Sequence, residues 1–318
     1  MVSLLCTVDV EEDMPHWRVE ASTSLRNLQG LHRFNALCDR MGVRPTYLCT
    51  YPVATRPEGD FLIDLQRRGR CEIGAHLHPW TTPPFDTNEN RLEAIQPSRL
   101  PPSAMEAKLR VLTTALAERF GQAPTSYRAG RFGFNGAGLQ ALERLGYLVD
   151  SSVTPLCDWT SEGGVDARMA PDVPYFPDRQ RVFERGSSPV LEVPLSIGFS
   201  SRLPEQVSRG LVALPSRLRV RGILSTLAGL ELRWLYPSAH NADAMCGLAD
   251  VLVGRGVPVL NVFLHSSELW PGESPSNATT ADVDRYLDTL ERFFVYAIAT
   301  LGAAPRTLTE FSRAWLDS

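Results

Sequence analysis

Short apolar runs alternate with longer segments of helical period along this chain. The runs fall at residues 2–8, 45–51, 71–78, 126–131, 147–152, 190–196 and 257–265 and predict strands. Between them, segments near 22–41, 59–69, 103–120, 135–146, 241–255 and 280–301 predict helices. Gly42, Gly69, Gly121 and Gly146 each follow such a segment, at the position where a helix end favours glycine. Strand–helix alternation of this kind is the signature of a parallel sheet with crossover helices. Two stretches break the rhythm. Residues 153–189 are rich in Pro, Gly, Asp and Arg and read as a long loop excursion, whereas 201–237 are apolar and arginine-rich.

The ends of the predicted strands carry the chemistry. Acidic residues follow the first strand, histidines close the third, arginines the fourth, an aspartate the fifth and a histidine the last. A (β/α) barrel uses the C-terminal ends of its strands in this way. The length, 318 residues with 43% hydrophobic content, suits one large barrel over 1–318 with an insertion at about 201–237.

Charge and cysteine usage narrow the partners. A formal net charge of −4 argues against nucleic acid, whose phosphates need a basic surface. The six cysteines stand singly, several inside apolar runs, as expected of reduced thiols in a cytoplasmic protein. The first residues, VSLLCTV, run into an acidic cluster without a basic leader, and no apolar stretch reaches the roughly 20 residues of a membrane span.

In TVDVEED, Asp9 and Glu11 stand two apart, so an extended backbone points both to one face. Like charges that close repel unless a cation lies between them or one is protonated. One carboxylate as metal ligand and one as general base fits that constraint, while Glu12 and Asp13 read equally well as a solvated acidic loop. In EIGAHLHPW, His76 and His78 have the same two-residue spacing, and paired imidazoles can bind one ion from one side. A third ligand from Glu11 or Asp9 completes a two-histidine, one-carboxylate site suited to zinc, iron, cobalt or nickel. His16, His32 and His240 read as ordinary structural histidines.

Together these segments resemble carbohydrate esterase family 4, the polysaccharide deacetylases. Five motifs occur in family order from residue 2 to about 312. The resemblance implies a distorted (β/α) barrel of seven or eight strands with a helical or loop insertion. TVDVEED resembles the first motif in a D-x-E form, which makes Asp9 the catalytic base and Glu11 the acidic metal ligand. EIGAHLHPW resembles the second motif with shortened spacing, Trp80 standing where the usual second histidine would be, so that His78 joins His76. YRAGRFG resembles the third, giving Arg128 the task of orienting Asp9 and placing backbone amides near Arg131 at the oxyanion. VDSSVTPLCDW resembles a stretched fourth motif, in which either Asp150 or Asp158 tunes the catalytic histidine. FLHSSEL resembles the fifth and makes His265 the catalytic acid. Trp80, Trp159 and Trp270 are candidates to line a sugar pocket, with packing as the alternative.

The implied activity is metal-dependent removal of an N-acetyl group from an amino sugar or conjugate, with one divalent ion, zinc first and cobalt or nickel as alternatives. Most polysaccharide-trimming enzymes are exported, so a cytoplasmic member would meet a smaller substrate, nucleotide- or lipid-linked sugars included. The rivals are a deformylase or ring-opening amidase on the same scaffold, and a sugar-binding pseudoenzyme. Arg202, Arg209, Arg217, Arg219, Arg221 and Arg233 make 201–237 either a helical flap over the barrel mouth, the simpler reading, or a surface for phosphorylated substrate or the inner face of the membrane.

Overall fold

A computed structural model describes residues 2–16, 19, 24–85, 95–201, 207, 210 and 230–317. Its centre is β1 (Ser3–Val10), buried along its whole length. One edge of β1 pairs in parallel with β9 (Val259–His265), from Ser3 opposite Val259 to Asp9 opposite His265. The other edge is shared: its first half pairs with β10 (Ala304–Arg306) and its second half with β2 (Thr46–Cys49). The parallel sheet then continues through β3 (Glu72–Leu77), β4 (Ser126–Ala129), β5 (Val149–Asp150) and β6 (Leu191–Glu192). Side chains bridge the seam between β6 and β9. Asn261 Nδ2 donates to Pro194 O at 3.2 Å, and Ser196 Oγ accepts from Asn261 N at 2.8 Å. The result is the distorted parallel barrel that the sequence implied.

Alternation along the strands explains the layers. Leu4, Cys6, Val8 and Val10 face the helix layer, as do Ile73, Ala75, Leu77, Tyr127, Ala129, Leu260, Val262 and Leu264. The intervening residues point inward. At the base, Leu5, Leu48, Val149, Leu191 and Val259 pack against Leu308 and Phe311. Higher in the interior, the same inward rows become polar: Thr7 and Asp9 on β1, His76 on β3, Arg128 on β4, Asn261 and His265 on β9. The apolar base excludes water, and the chemistry collects at the C-terminal rim.

The helix layer comprises α1 (Gly30–Met41), α2 (Tyr51–Thr55), α3 (Phe61–Arg67), α4 (Pro102–Phe120), α5 (Gly136–Leu145), α6 (Ala242–Gly254), α7 (Thr280–Val295) and α8 (Leu308–Leu316). Asn135 and Asn241 cap α5 and α6, and Thr279 with Asp282 forms a capping box on α7. Gly121 and Gly146 end α4 and α5 with φ of 77° and 80°, as their sequence positions predicted.

Several expectations need adjustment. The predicted strand 126–131 stops at Ala129, because Arg131 and Phe132 adopt left-handed backbone (φ 50° and 54°) in a tight turn. The predicted 190–196 strand shortens to two residues before Pro194, which has no N–H to continue a ladder. A separate hairpin follows, β7 (Ile197–Phe199) antiparallel to β8 (Leu232–Trp234). Helix 280–301 divides into α7 and a π-turn at Tyr296–Thr300, and β10 and α8 were not foreseen. Of the insertion, residues 202–206, 208–209 and 211–229 lie outside the described residues, so the flap and membrane readings of Arg202, Arg209, Arg217, Arg219 and Arg221 fall there. No helix among the described residues is long and apolar enough to cross a membrane.

Candidate metal centre and active site

Inward alternation on β1 and β3 brings Glu11, His76 and His78 together at the barrel rim. Their ligand atoms lie within 4.8 Å of one another, and all three residues are buried. Glu11 Oε2 stands 3.6 Å from His76 Nε2 and 3.3 Å from His78 Nε2. Each imidazole is committed through its other nitrogen: His76 Nδ1 lies 3.0 Å from the carbonyl oxygen of Arg128, and His78 Nδ1 lies 2.6 Å from Glu12 Oε1. A carbonyl can only accept, so Nδ1 of His76 carries the proton and its Nε2 presents a lone pair. Glu11 Oε1 is buried and has no hydrogen-bond partner. An unpartnered carboxylate oxygen beside two oriented imidazoles fits a divalent cation, because burial of such an acceptor is costly unless something binds it. A set of two imidazoles and one carboxylate suits zinc, cobalt or nickel.

Glu12 is the residue that sequence reasoning undervalued. It is not a solvated loop acid but fully buried, held by Thr50 Oγ1 at 3.0 Å as well as by His78. Asp13 is also buried, accepting from Asn27 N at 2.9 Å and from the Ser24 hydroxyl. Burial works against ionisation of Glu12, and the neighbouring His78 outweighs it to hold the carboxyl below its usual range. For His78, burial disfavours the cation, but the Glu12 charge and hydrogen bonds to Glu11 and Glu12 push it up to about 10. Glu11 is held low despite its burial, by the charge of His265 and the closeness of the His76 and His78 rings.

Asp9 sits beside this trio, 3.8 Å from His76 Nε2 and 2.8 Å from Arg128 Nη1. Arg128 is fully buried. It donates to Thr7 Oγ1 at 2.7 Å, to Ser151 O at 2.7 Å and to Ser151 Oγ at 3.1 Å, and its guanidinium lies 5.1 Å from the Phe263 ring. The arginine is therefore an interior strut and not a surface residue. Gly130 stands two residues on, and a Cβ there would come within 2.7 Å of the His78 ring, space that the glycine leaves open.

His265 closes the ring of functional groups from β9, opposite Asp9 in the strand register. Its side chain is 18% exposed, against 2–3% for the metal-site side chains, so it stands between the centre and solvent. Its Nδ1 is 3.6 Å from Glu268 Oε2. Burial lowers its proton affinity, but Glu11, Glu268 and Asp9 overcome that and push it up to about 9.

The remaining sequence candidates are placed differently. Neither Asp150 nor Asp158 is the carboxylate facing His265 among the described residues; that group is Glu268. Asp150 is buried opposite Glu192 in the β5–β6 register and accepts from Ser152 Oγ. Asp158 is partly exposed, bonded to Thr160 N at 3.0 Å and paired with Arg168 at 3.5 Å. The short β5 turns Asp150 towards β6, and the excursion carries Asp158 outward. Trp80 stacks on the His78 ring at 4.0 Å and so braces the imidazole. Arg131 reaches Glu162 at 3.3 Å, and Trp270 is 36% exposed at the end of the turn after β9. An aromatic cluster not foreseen as a unit adjoins His265: Phe263 is 4.7 Å from the imidazole, and Phe132 lies 5.5 Å from Phe263 and 5.6 Å from Trp159. Glu268 had one readable signal, its place three residues after a strand-end histidine, where a capping box puts its acid.

No protein-family profile matches the sequence, and no curated protein matches it either. Solved structures do. A protein titled "putative polysaccharide deacetylase" from Mycobacterium smegmatis shares 16% identity at a TM-score of 0.59, over 98% of this chain and 89% of that one. One titled "putative glycoside hydrolase/deacetylase" from Parabacteroides distasonis shares 12% at 0.63, over 99% and 70%. Puue allantoinase shares 14% at 0.59, over 100% and 91%. Along its whole length the chain therefore has the distorted barrel fold of these proteins.

Proposed function

We propose that this protein is a metal-dependent amide hydrolase that removes an N-acetyl or related N-acyl group from an amino sugar or sugar conjugate. The observation carrying this reading is the convergence of two oriented imidazoles on a buried, half-unpartnered Glu11, beside an aspartate clamped by a buried arginine. Binding alone requires none of that arrangement. Glu11, His76 and His78 would hold a divalent ion, which supplies Lewis acidity towards an acyl oxygen and makes water more acidic.

The protein groups then divide the proton traffic. Asp9, held and aimed by Arg128, accepts a proton from the attacking water. His265 donates a proton to the departing nitrogen as the carbon–nitrogen bond breaks. Hydroxyl adds to the acyl carbon and hydrogen to the amine, so one water is consumed and the acid–base pair is restored after proton return. The aromatic cluster beside His265 offers flat apolar faces to a sugar ring or an acyl methyl.

Puue allantoinase, of similar fold, makes ring-opening amide hydrolysis the second reading. The test is release of acetate and free amine from a panel of N-acetylated sugars, nucleotide-linked and lipid-linked conjugates among them, with allantoin alongside. We expect acetate release that a chelator abolishes and zinc, cobalt or nickel restores. Turnover of allantoin alone, or sugar binding without any product, would overturn the deacetylase reading.

A further inference from the structure

The sequence resemblance assigned the tuning of His265 to an aspartate of the β5 region, but the structure surrounds the histidine with a different apparatus. We infer that Glu268 positions His265 for proton delivery, and that Tyr236, Ser238 and Tyr286 hold Glu268 in place for that task. The inference deepens the amide-hydrolase reading and rests on it.

Four donors converge on one buried carboxylate. Oε1 of Glu268 accepts from the hydroxyls of Tyr236 and Ser238. Oε2 accepts from Tyr286 Oη at 2.9 Å and from the backbone N–H of His265 at 2.9 Å. Asn277 Nδ2 fixes the turn by donating to the Glu268 carbonyl at 2.6 Å. The donors come from the segment after β8, from α7 and from β9, so the carboxylate is anchored by three elements. A carboxylate has about four lone-pair sites, and these donors occupy them. The group therefore stays anionic although it is fully buried, against the cost of burial, with His265 as the cation that holds it low.

The imidazole is confined as well. Phe263 stands edge-on at 4.7 Å and Tyr236 at 6.1 Å, which limits ring rotation. Nδ1 stands on the Glu268 side of the ring, 3.6 Å from Oε2, and Nε2 on the opposite side. An anion fixed 3.6 Å behind an imidazole stabilises the charged ring through ion pairing, as a buried carboxylate does in other histidine-based acid–base couples. Asp150, bonded to Ser152 and facing Glu192, is left without that role.

The metal-loaded full chain provides the test. Glu268→Gln, and separately Tyr236→Phe combined with Tyr286→Phe as a milder variant should the first not fold, are assayed on an N-acetylated amino sugar and on 4-nitrophenyl acetate. The amide's amine must be protonated to leave, whereas the nitrophenolate needs no acid. We expect kcat on the amide to fall about 100-fold with KM nearly unchanged, the aryl ester to be largely spared, and zinc content to stay the same. An equal fall on both substrates, or no fall on either, overturns the role of Glu268. A wild-type protein that cleaves no amide sinks the hydrolase reading instead. The ring ¹⁵N signals of His265, identified by their loss in His265→Ala, decide the positioning without turnover: they should move in Glu268→Gln, and unmoved signals overturn the proposal.

Discussion

His78 and His265 stand at the same rim, each with a buried glutamate on its Nδ1 side, yet they are equipped for different work. Behind His78, Glu12 lies at 2.6 Å; in front of it, Nε2 faces Glu11 at 3.3 Å with His76 beside it. Behind His265, Glu268 lies at 3.6 Å within its cage of hydroxyls. The imidazole–carboxylate couple alone specifies no function. What lies at the opposite nitrogen does, and strand geometry decides that: β3 and the residue after it deliver two imidazoles two positions apart, whereas β9 delivers one. On the proposed reading, a ligand and a proton donor thus share one construction.

The contrast is broken most severely at its ligand end. His76→Ala should leave the purified protein without metal by elemental analysis and without turnover. Asp9→Asn should keep the metal while turnover falls by roughly 10²–10⁴-fold. Retained metal in the first variant, or full activity in the second, would remove the division of labour. A smaller effect separates the two glutamates. Glu12→Gln should weaken metal affinity about 10–100-fold in chelator competition, whereas Glu268→Gln should leave it unchanged.

Much of this was legible in the sequence. The two-residue spacing of Asp9 with Glu11 and of His76 with His78 carries straight into the barrel, because alternation is fixed by the pleat. Arg128 was reachable only through resemblance, since its partner Asp9 is 119 positions away. Glu12 was misjudged because its partner His78 is 66 positions away and no local pattern near β1 reveals it. Asp150 looked functional because it closes a strand, but its fate depends on the β5–β6 register, which no local pattern encodes.

A weaker pH effect sharpens the comparison. Without a metal the neighbouring carboxylates push His78 up to about 10, so an ion bound at Nε2 would displace its proton. Metal affinity should therefore rise with pH across the neutral range, by about tenfold per unit for one displaced proton; a flat profile would contradict this. Asp150 and Glu192 give the smallest and opposite case. Burial raises both above the ordinary carboxylate range, and for Glu192 the facing Asp150 adds to it. Their stabilisation is complete below the unfolded value near 4 and is lost as pH rises through the raised folded values. The denaturation midpoint should fall with pH over that window, and Glu192→Gln should flatten the slope.

The position of β1 bears on how the polypeptide is made. Its partners β9 and β10 belong to the far end of the chain; Thr7 and Val262, which share a hydrogen bond, are 255 positions apart. At ribosomal rates of 5–20 residues per second, the first strand waits on the order of ten to fifty seconds for those neighbours. Until they arrive, the acidic pair at the end of that strand would discourage another nascent chain from pairing there.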